Sequence, residues 1–600
     1  MRGARGGYDG EPIAKGLCRI EKEEGAIGDR GNDPVTTTTA AALESHAHEL
    51  SLSQGAKKLP PVLGRLLSGS FWLALRTPLQ AVLSLWTLPL ILQAVGSDQQ
   101  GAYGFAWGFG FFQMLFEFGM GSALQRQVSE CWTKGDRAGV DRAIACGMNF
   151  YAAMAFVQAA ALLAVAYLAV PHSGYKGDSY QLIIKLLWLQ ALTAPCYGTS
   201  VVVSSVLQAA RRYDFLPRFE LAVIVVRFLV LWVGVHTGVD FFVIVVTQTA
   251  LQVGLTLGPS LWVMSHELGY LPRFQGSRWE DYRPLLHISF YMFLIQLSVV
   301  MADKVDTTIL GFALTDPGPA TSVYQFVSKP FLQIRQSGWT FAYMVMPAVA
   351  SLIAARDERA LERIKYDGTR LHIGVLLPVA LLVWVYASPF LTLWVGDRLG
   401  YPAAQIAPLL RLFLVAVIPV VLSVPVQMSL GMNRIEVVAW AALAGAIVNL
   451  PLSYVLTLKF GVQGVIWGTV LTTLFSNFLV PGLYVFRVLK IDLKTFLVRT
   501  LSAPLAGALA LLLVTAILQT IWPLHPIGQT GSSPMRWLKL GGVSIQLYSF
   551  LILGARSLLR WLPLAAQVGV GGLAYATGYL TAPAGRGDFL EIVRKLRRPG

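Results

Sequence analysis

The chain has 600 residues, 55% of them hydrophobic and only 14% charged, with a formal net charge of +15. A water-soluble protein of this size needs far more charge on its surface, so a soluble globular enzyme is excluded from the start. The excess positive charge lies beyond residue 65, because residues 1–65 hold nine basic and nine acidic side chains. It is either loop Lys/Arg that sets topology or a cationic cavity for an anionic substrate.

Residues 1–65 are rich in Gly, Glu and Thr and show no periodic pattern, which predicts a disordered extension without a cleavable signal peptide. Apolar runs then recur at lengths near the roughly 20 residues that a hydrocarbon core of ~30 Å demands. They predict an all-α polytopic membrane protein with about 14 spans, at 68–95, 102–124, 145–170, 181–207, 218–236, 240–264, 284–313, 320–352, 371–394, 405–430, 436–458, 462–487, 499–522 and 561–581. The apolar segment 542–555 is short and flanked by Lys539 and Arg556, and is expected to be an interfacial or re-entrant helix.

Lys and Arg sort by side. Loops 125–143, 209–219, 266–286, 353–370 and 487–498 are basic, whereas the alternate connections are short turns such as VGSDQQ, HTGVD, TDPGPA and KFGVQG. The positive-inside rule places the basic set, and with it both termini, in the cytoplasm. The tail EIVRKLRRPG is strongly basic, in keeping with that side.

The chain also resembles itself at an offset of 221 residues. Tyr103 in GAYGFAWG aligns with Tyr324 in TSVYQFVSK, and DRAGVDR (136–142) aligns with DERALER (357–363). A further echo pairs Gln208 with Gln427. Six spans per half is an even number, so the halves share orientation, as in the parallel repeats of secondary transporters whose substrate path runs between them. The expected organisation is a 1–65 extension, an N-lobe at 66–265, a C-lobe at 266–487, and two extra spans with an interfacial segment and a basic tail at 488–600.

The seventh span contains SVVMADKVDTTILGF, with Asp303, Lys304 and Asp306 inside it. A charge at the centre of a span costs roughly 2.5–3.5 kcal/mol on insertion scales, so such residues are functional candidates. Asp303 and Asp306, three apart, share one helix face, while Lys304 points elsewhere. Counting outward from TDPGPA puts Asp306 level with Lys329 of the next span, so Lys329 is expected to face Asp303 or Asp306. Three readings follow: a fixed structural ion pair, a carboxylate pair exchanging a proton or cation during transport, or side chains snorkelling to the interface. Arg335 and Arg227 lie near the middle of spans 8 and 5. Arg76 sits at the depth of Glu117 in span 2, where the two are expected to pair. Arg suits phosphate because its planar fork donates two parallel hydrogen bonds and stays charged. Arg335, Lys329, Arg227 and, as the outlier, Arg76 are therefore candidates for a cationic substrate cavity. Asp303, Asp306, Lys304 and Glu117 are candidates for coupling and gating.

Four stretches, EFGMGSALQRQVSECWTKGD, DTTILGFALTDPGPATSVYQFVSKP, MPAVASLIAARDERALERI and NLPLSYVLTLKFGVQGVIWGT, resemble in order and spacing those of polysaccharide and O-antigen flippases. These belong to the multidrug/oligosaccharidyl-lipid/polysaccharide exporter superfamily. The resemblance implies two six-helix lobes and a bacterial inner-membrane transporter that flips a polyprenyl-pyrophosphate-linked saccharide, an O-antigen or exopolysaccharide repeat unit, by alternating access. The partners it implies are the lipid-linked saccharide, membrane lipids, a coupling H+ or Na+, and the polymerase or ligase of the pathway. No nucleic acid, cofactor or metal is expected: the cysteines (Cys18, Cys131, Cys146, Cys196) show no C-x-x-C spacing. The alternatives are a multidrug or cation exporter of the same superfamily and a flippase for a lipid-linked peptidoglycan precursor. A polysaccharide polymerase or ligase is a weaker one, because the chain shows no Walker A loop, H-E-x-x-H or G-x-S-x-G.

Overall fold

The computed structural model describes residues 61–210, 215–275, 304–343, 345–396, 398–432, 436–524, 538–540, 543–545 and 547–596, with isolated positions 279, 281, 282, 293 and 434. Residues 1–60 of the N-terminal extension and most of the expected seventh span before Lys304, Asp303 included, lie outside the described residues.

Helices follow the apolar runs closely. They include α1 (Pro61–Gly108), α2 (Met120–Thr133), α3 (Arg137–His172), α4 (Gly177–Ala209), α5 (Phe215–Thr237), α6 (Phe241–Glu267), α7 (304–313), α8 (Pro317–Tyr343), α9 (Glu358–Val385), α10 (Ala403–Gly431), α11 (Glu436–Phe460), α12 (Val462–Val488), α13 (Leu493–Ile521), α14 (Leu547–Thr581) and α15 (Pro583–Leu596). Among the described residues, ten helices are long and apolar enough to cross a membrane. The protein is a multi-pass, almost wholly helical membrane protein. Gly96, at φ +74°, breaks α1 where the first two predicted spans meet. The second span breaks again at Phe118 (φ +50°) and Gly119 (φ +67°), just after Glu117.

Segment 542–555 is not a helix of its own. Val543–Ile545 pairs antiparallel with Leu538–Leu540, and Leu547 onward belongs to the 35-residue helix α14. Apolar residues with a few polar ones simply extend the last span by several turns, and the loop before it turns back as a hairpin.

The two segments matched at offset 221 have the same backbone. Gly135 (φ +69°) and Arg356 (φ +55°) occupy the left-handed region. Each is followed by an aspartate N-cap: Asp136 accepts from Gly139 N at 2.8 Å, and Asp357 from Ala360 N at 3.0 Å. The N–H groups of the two caps return to Cys131 O and Leu352 O at 2.9 and 3.0 Å. An Asp side chain satisfies an orphan amide of the first helical turn, which explains why this pattern recurs at both helix starts.

The halves meet at the end of the bundle that carries the short turns. A Cβ added to Gly101 would lie 2.7 Å from Gly318 Cα, so these two chain segments touch backbone to backbone. Gly174 N donates to Gly311 O at 3.1 Å, Tyr175 Oη to Thr321 Oγ1 at 3.1 Å, and Gln325 Nε2 to Gln100 O at 3.2 Å. Trp394 Nε1 donates to Leu85 O at 2.7 Å, and Leu92 packs into the core formed by α8, α10 and α12. Deeper in the bundle, the rings of Phe118 and Phe293 stack at 4.3 Å. At the basic-loop end the loop that opens the expected C-lobe is tied to the first half. Arg273 reaches Asp141 at 3.1 Å, and Asn149 reaches Phe274 O at 2.8 Å. On the other side, Arg499 reaches Asp367 at 2.8 Å and Lys365 reaches Leu489 O at 3.3 Å.

The C-terminal helix is fastened at this same end. Arg370, buried at the start of the apolar part of α9, donates through Nε to Asp588 Oδ2 of α15 at 2.7 Å and through Nη1 to Arg499 O at 2.7 Å. Tyr579 Oη donates to Asp588 at 2.6 Å. Helices α9, α13, α14 and α15 are thereby joined by one buried ionic knot on the basic-loop side.

Candidate functional site

Asp306 is the most buried of the candidate charges, 1% exposed on α7. Its Oδ2 accepts from Tyr324 Oη of α8 at 2.6 Å and from Thr469 Oγ1 of α12 at 2.7 Å. The expected partner, Lys329, is not among these donors. The turn at 314–316 is tight, so Tyr324, and not Lys329, sits level with Asp306 when both helices are counted from it. The polar path continues inward. Thr472 Oγ1, one turn along α12 from Thr469, donates to Asn449 Oδ1 of α11 at 3.1 Å, and Ser453 donates to the same oxygen at 2.8 Å. All five polar side chains from Asp306 to Ser453 along this path are buried. Gly468 leaves room for Ser453 alone, so α11 and α12 pack closely enough for these short side chains to meet.

Sequence reading missed Thr469, Thr472, Asn449 and Ser453 as site residues. A signal was present: Asn449, Ser453 and Thr457 repeat at four-residue spacing, and Thr469, Thr472 and Ser476 at three and four, which is one helix face.

Lys304 and Lys329 stand on the two arms of the α7–α8 hairpin. Lys304 is exposed and Lys329 half-buried, and among the described residues neither forms an ion pair. They stand beside the seam: the Cβ missing from Gly108 would lie 2.6 Å from Thr307 Oγ1 and 3.6 Å from Lys304 O. Arg335, further along α8, holds its guanidinium 5.3 Å from the centre of the Phe331 ring.

The remaining candidates are placed in the first half and apart from this group. Arg76 forms an ion pair with Glu220 of α5 at 2.6 Å and not with Glu117. Glu220 approaches from a helix 144 residues away, which depth counting along the first two spans does not see. Glu117 accepts from Tyr197 Oη at 3.3 Å, beside Gly121 and Tyr151, at the break in span 2. Arg227 donates to Gln252 Oε1 of α6 at 2.7 Å, and Gln248 donates back to Arg227 O at 2.7 Å. Among the described residues no three His, Cys, Asp or Glu side chains gather to hold a metal ion.

This arrangement of helices is a known transporter fold. The chain superposes on a structure titled lipid II flippase MurJ, inward closed conformation, with TM-score 0.59 at 15% identity, covering 82% of this chain and 97% of that one. It also superposes on the inward-facing conformation of a multidrug resistance MATE family transporter of the MOP superfamily (TM-score 0.55, 14% identity, 69% and 96% covered). A third likeness is to the eukaryotic MATE transporter AtDTX14 (TM-score 0.51, 13% identity, 72% and 98% covered). A comparison with curated proteins finds no match. At such identities these likenesses establish the fold alone. Residues 66–355 match the model of a family described as polysaccharide biosynthesis protein.

Proposed function

We propose that the protein flips a polyprenyl-pyrophosphate-linked saccharide, an O-antigen or exopolysaccharide repeat unit, across the bacterial inner membrane, with both termini in the cytoplasm. The observation that carries this reading is the pair Lys304 and Lys329. Two ammonium groups on neighbouring membrane helices, without a described carboxylate, are costly to keep there. A doubly phosphorylated head offsets that cost; a cationic drug would add to it. Arg335 on α8 extends the same cationic surface, and a guanidinium binds phosphate oxygens in parallel pairs. In this reading Lys304 moves from the gating group to the substrate group.

The cycle is alternating access. The seam at Gly101–Gly318 and Gln325–Gln100 closes the turn end, which supports a cavity that faces the cytoplasm. Asp306, held by Tyr324 and Thr469, couples H+ or Na+ to the movement of α7 and α8; Glu117 at the break of span 2 plays that part in the first half. Arg227 serves the cavity wall, and Arg76 the scaffold.

The test is the leaflet that holds the lipid-linked saccharide in cells lacking the protein. Accumulation on the cytoplasmic leaflet, relieved by wild type and not by Lys329→Ala or Lys304→Ala at normal abundance, is expected. An unchanged leaflet distribution with new sensitivity to cationic dyes would sink this reading in favour of a cation exporter. A peptidoglycan precursor carries the same pyrophosphate, and the identity of the lipid that accumulates separates the two.

A further inference from the structure

On the flank of the second half, away from the seam, α9, α10 and α13 enclose a slot of about 370 Å³. Its wall is apolar throughout, from Ile373 near the basic-loop end to Trp384 near the turn end, with Val415, Ile418 and Leu512 opposite. The eleven residue steps from Ile373 to Trp384 give it a length of about 16 Å along the helix axis. Its volume falls in the ~300–1,000 Å³ range of small-molecule sites. Helix α10 makes the space by breaking: its first α-helical part ends at Val415, and Ile418–Leu422 tightens into a 3₁₀ turn at Pro419. Trp384, Ile418 and Leu512 are 44%, 43% and 37% exposed, so in a bilayer the slot opens to lipid.

A cation stands at one end of it. Arg411, one helical turn from Val415 toward the turn end, donates through Nε to Trp384 O at 3.1 Å and lies 5.5 Å from the centre of the Trp384 ring. Among the described residues it has no carboxylate partner. Its guanidinium is tied back onto the slot instead of extending freely to water, leaving N–H donors for an anion. The slot's inner wall bears on α8: a Cβ on Gly338 would come within 2.6 Å of Val420 Cγ1 and 2.9 Å of Leu376 Cδ1.

We propose that this slot binds one acyl chain of an anionic glycerophospholipid from the leaflet at the turn end, with Arg411 on its phosphate. Charge complementarity at one mouth and an unbroken apolar wall below it fit an amphiphile whose head is anionic. The position on the lipid-facing flank, outside the seam between the halves, separates the site from the transport path. A chain seated against Val420 and Leu376 presses on α8 at Gly338, one turn from Arg335. The proposal stands whatever the transporter carries.

The test uses the full chain in nanodiscs of phosphatidylcholine, with thermal stability followed as phosphatidylglycerol replaces it. Wild type is expected to gain Tm with the anionic fraction, and Arg411→Gln to lose that gain while keeping its Tm in pure phosphatidylcholine. Ala380→Trp, which fills the slot, is expected to lose the gain too; should it not fold, Arg411→Gln decides. Equal stabilisation by both lipids, or an Arg411→Gln protein that responds like wild type, overturns the proposal. So does displacement of bound phosphatidylglycerol by an added polyprenyl phosphate in native mass spectra, which assigns the slot to a transported chain.

Discussion

Tyr324 donates its phenolic proton to Asp306 at 2.6 Å across the α7–α8 hairpin, and that bond joins the two helices carrying Lys304, Lys329 and Arg335. The carboxylate accepts from hydroxyls of α8 and α12, so it ties three helices at one point. Asp306→Asn preserves shape and removes the negative charge. It is expected to abolish transport at near-normal abundance, measured as the leaflet distribution of the lipid-linked saccharide. Tyr324→Phe and Thr469→Val each delete one donor to the carboxylate and are expected to cost about 1.5–3 kcal/mol, the value of a hydrogen bond to a charged group. Thermal unfolding in detergent reads this directly; Tm values equal to wild type for both would show that the hydroxyls do not hold Asp306.

The knot at the basic-loop end makes a separate prediction. Arg370 and Asp588 have side chains only 6% and 7% exposed, so removing one partner strands a buried charge. Such a break is strongly destabilising, about 3–5 kcal/mol. Arg370→Ala is expected to lower Tm and to release α15, exposing the link between Thr581 and Pro583 to protease. Arg499→Ala should do less, because its partner Asp367 keeps Arg370 at 3.1 Å and its own side chain is 38% exposed.

Closure of the turn end depends on two glycines in contact. A leucine at Gly318 cannot be housed, since even a Cβ there would meet the Asp98 backbone at 2.8 Å. Gly318→Leu is therefore expected to hold the turn ends apart. The readout is labelling of Gln325→Cys by an impermeant thiol reagent from outside the cell: slow in the otherwise wild-type chain, fast with Gly318→Leu. Equal rates would mean that the seam is not a barrier.

Much of the architecture is legible in one dimension because a bilayer imposes one-dimensional rules. Apolar runs give the helices, and the aspartate caps at Asp136 and Asp357 show through as matching heptapeptides, since a cap needs a particular residue at a particular step. Charges in spans are equally visible: Asp306 stands out because nothing about helix formation calls for it. Their partners are not visible. Thr469 is 163 residues from Asp306 and Glu220 is 144 from Arg76, and no periodicity carries information over that distance. Depth counting also failed where a turn is short by a few residues, which moved the partner of Asp306 from Lys329 to Tyr324. The length of α14 escaped for another reason: Lys539 and Arg556 suggested interfaces, whereas the helix runs through Arg556 without a break.

The pair Arg76–Glu220 separates scaffold from cargo site most cleanly. Its side chains are 32% and 38% exposed, so as a surface-like ion pair it contributes on the order of 1 kcal/mol or less. If that is all it does, the charge-swapped chain Arg76→Glu/Glu220→Arg should transport as wild type does, while each single change lowers abundance slightly. If Arg76 instead binds the pyrophosphate, the swap places a carboxylate at the anion's position and transport is lost although the ion pair is restored. The leaflet assay on these three variants decides between them. The geometry favours recovery, because the guanidinium already spends its 2.6 Å contact on Glu220.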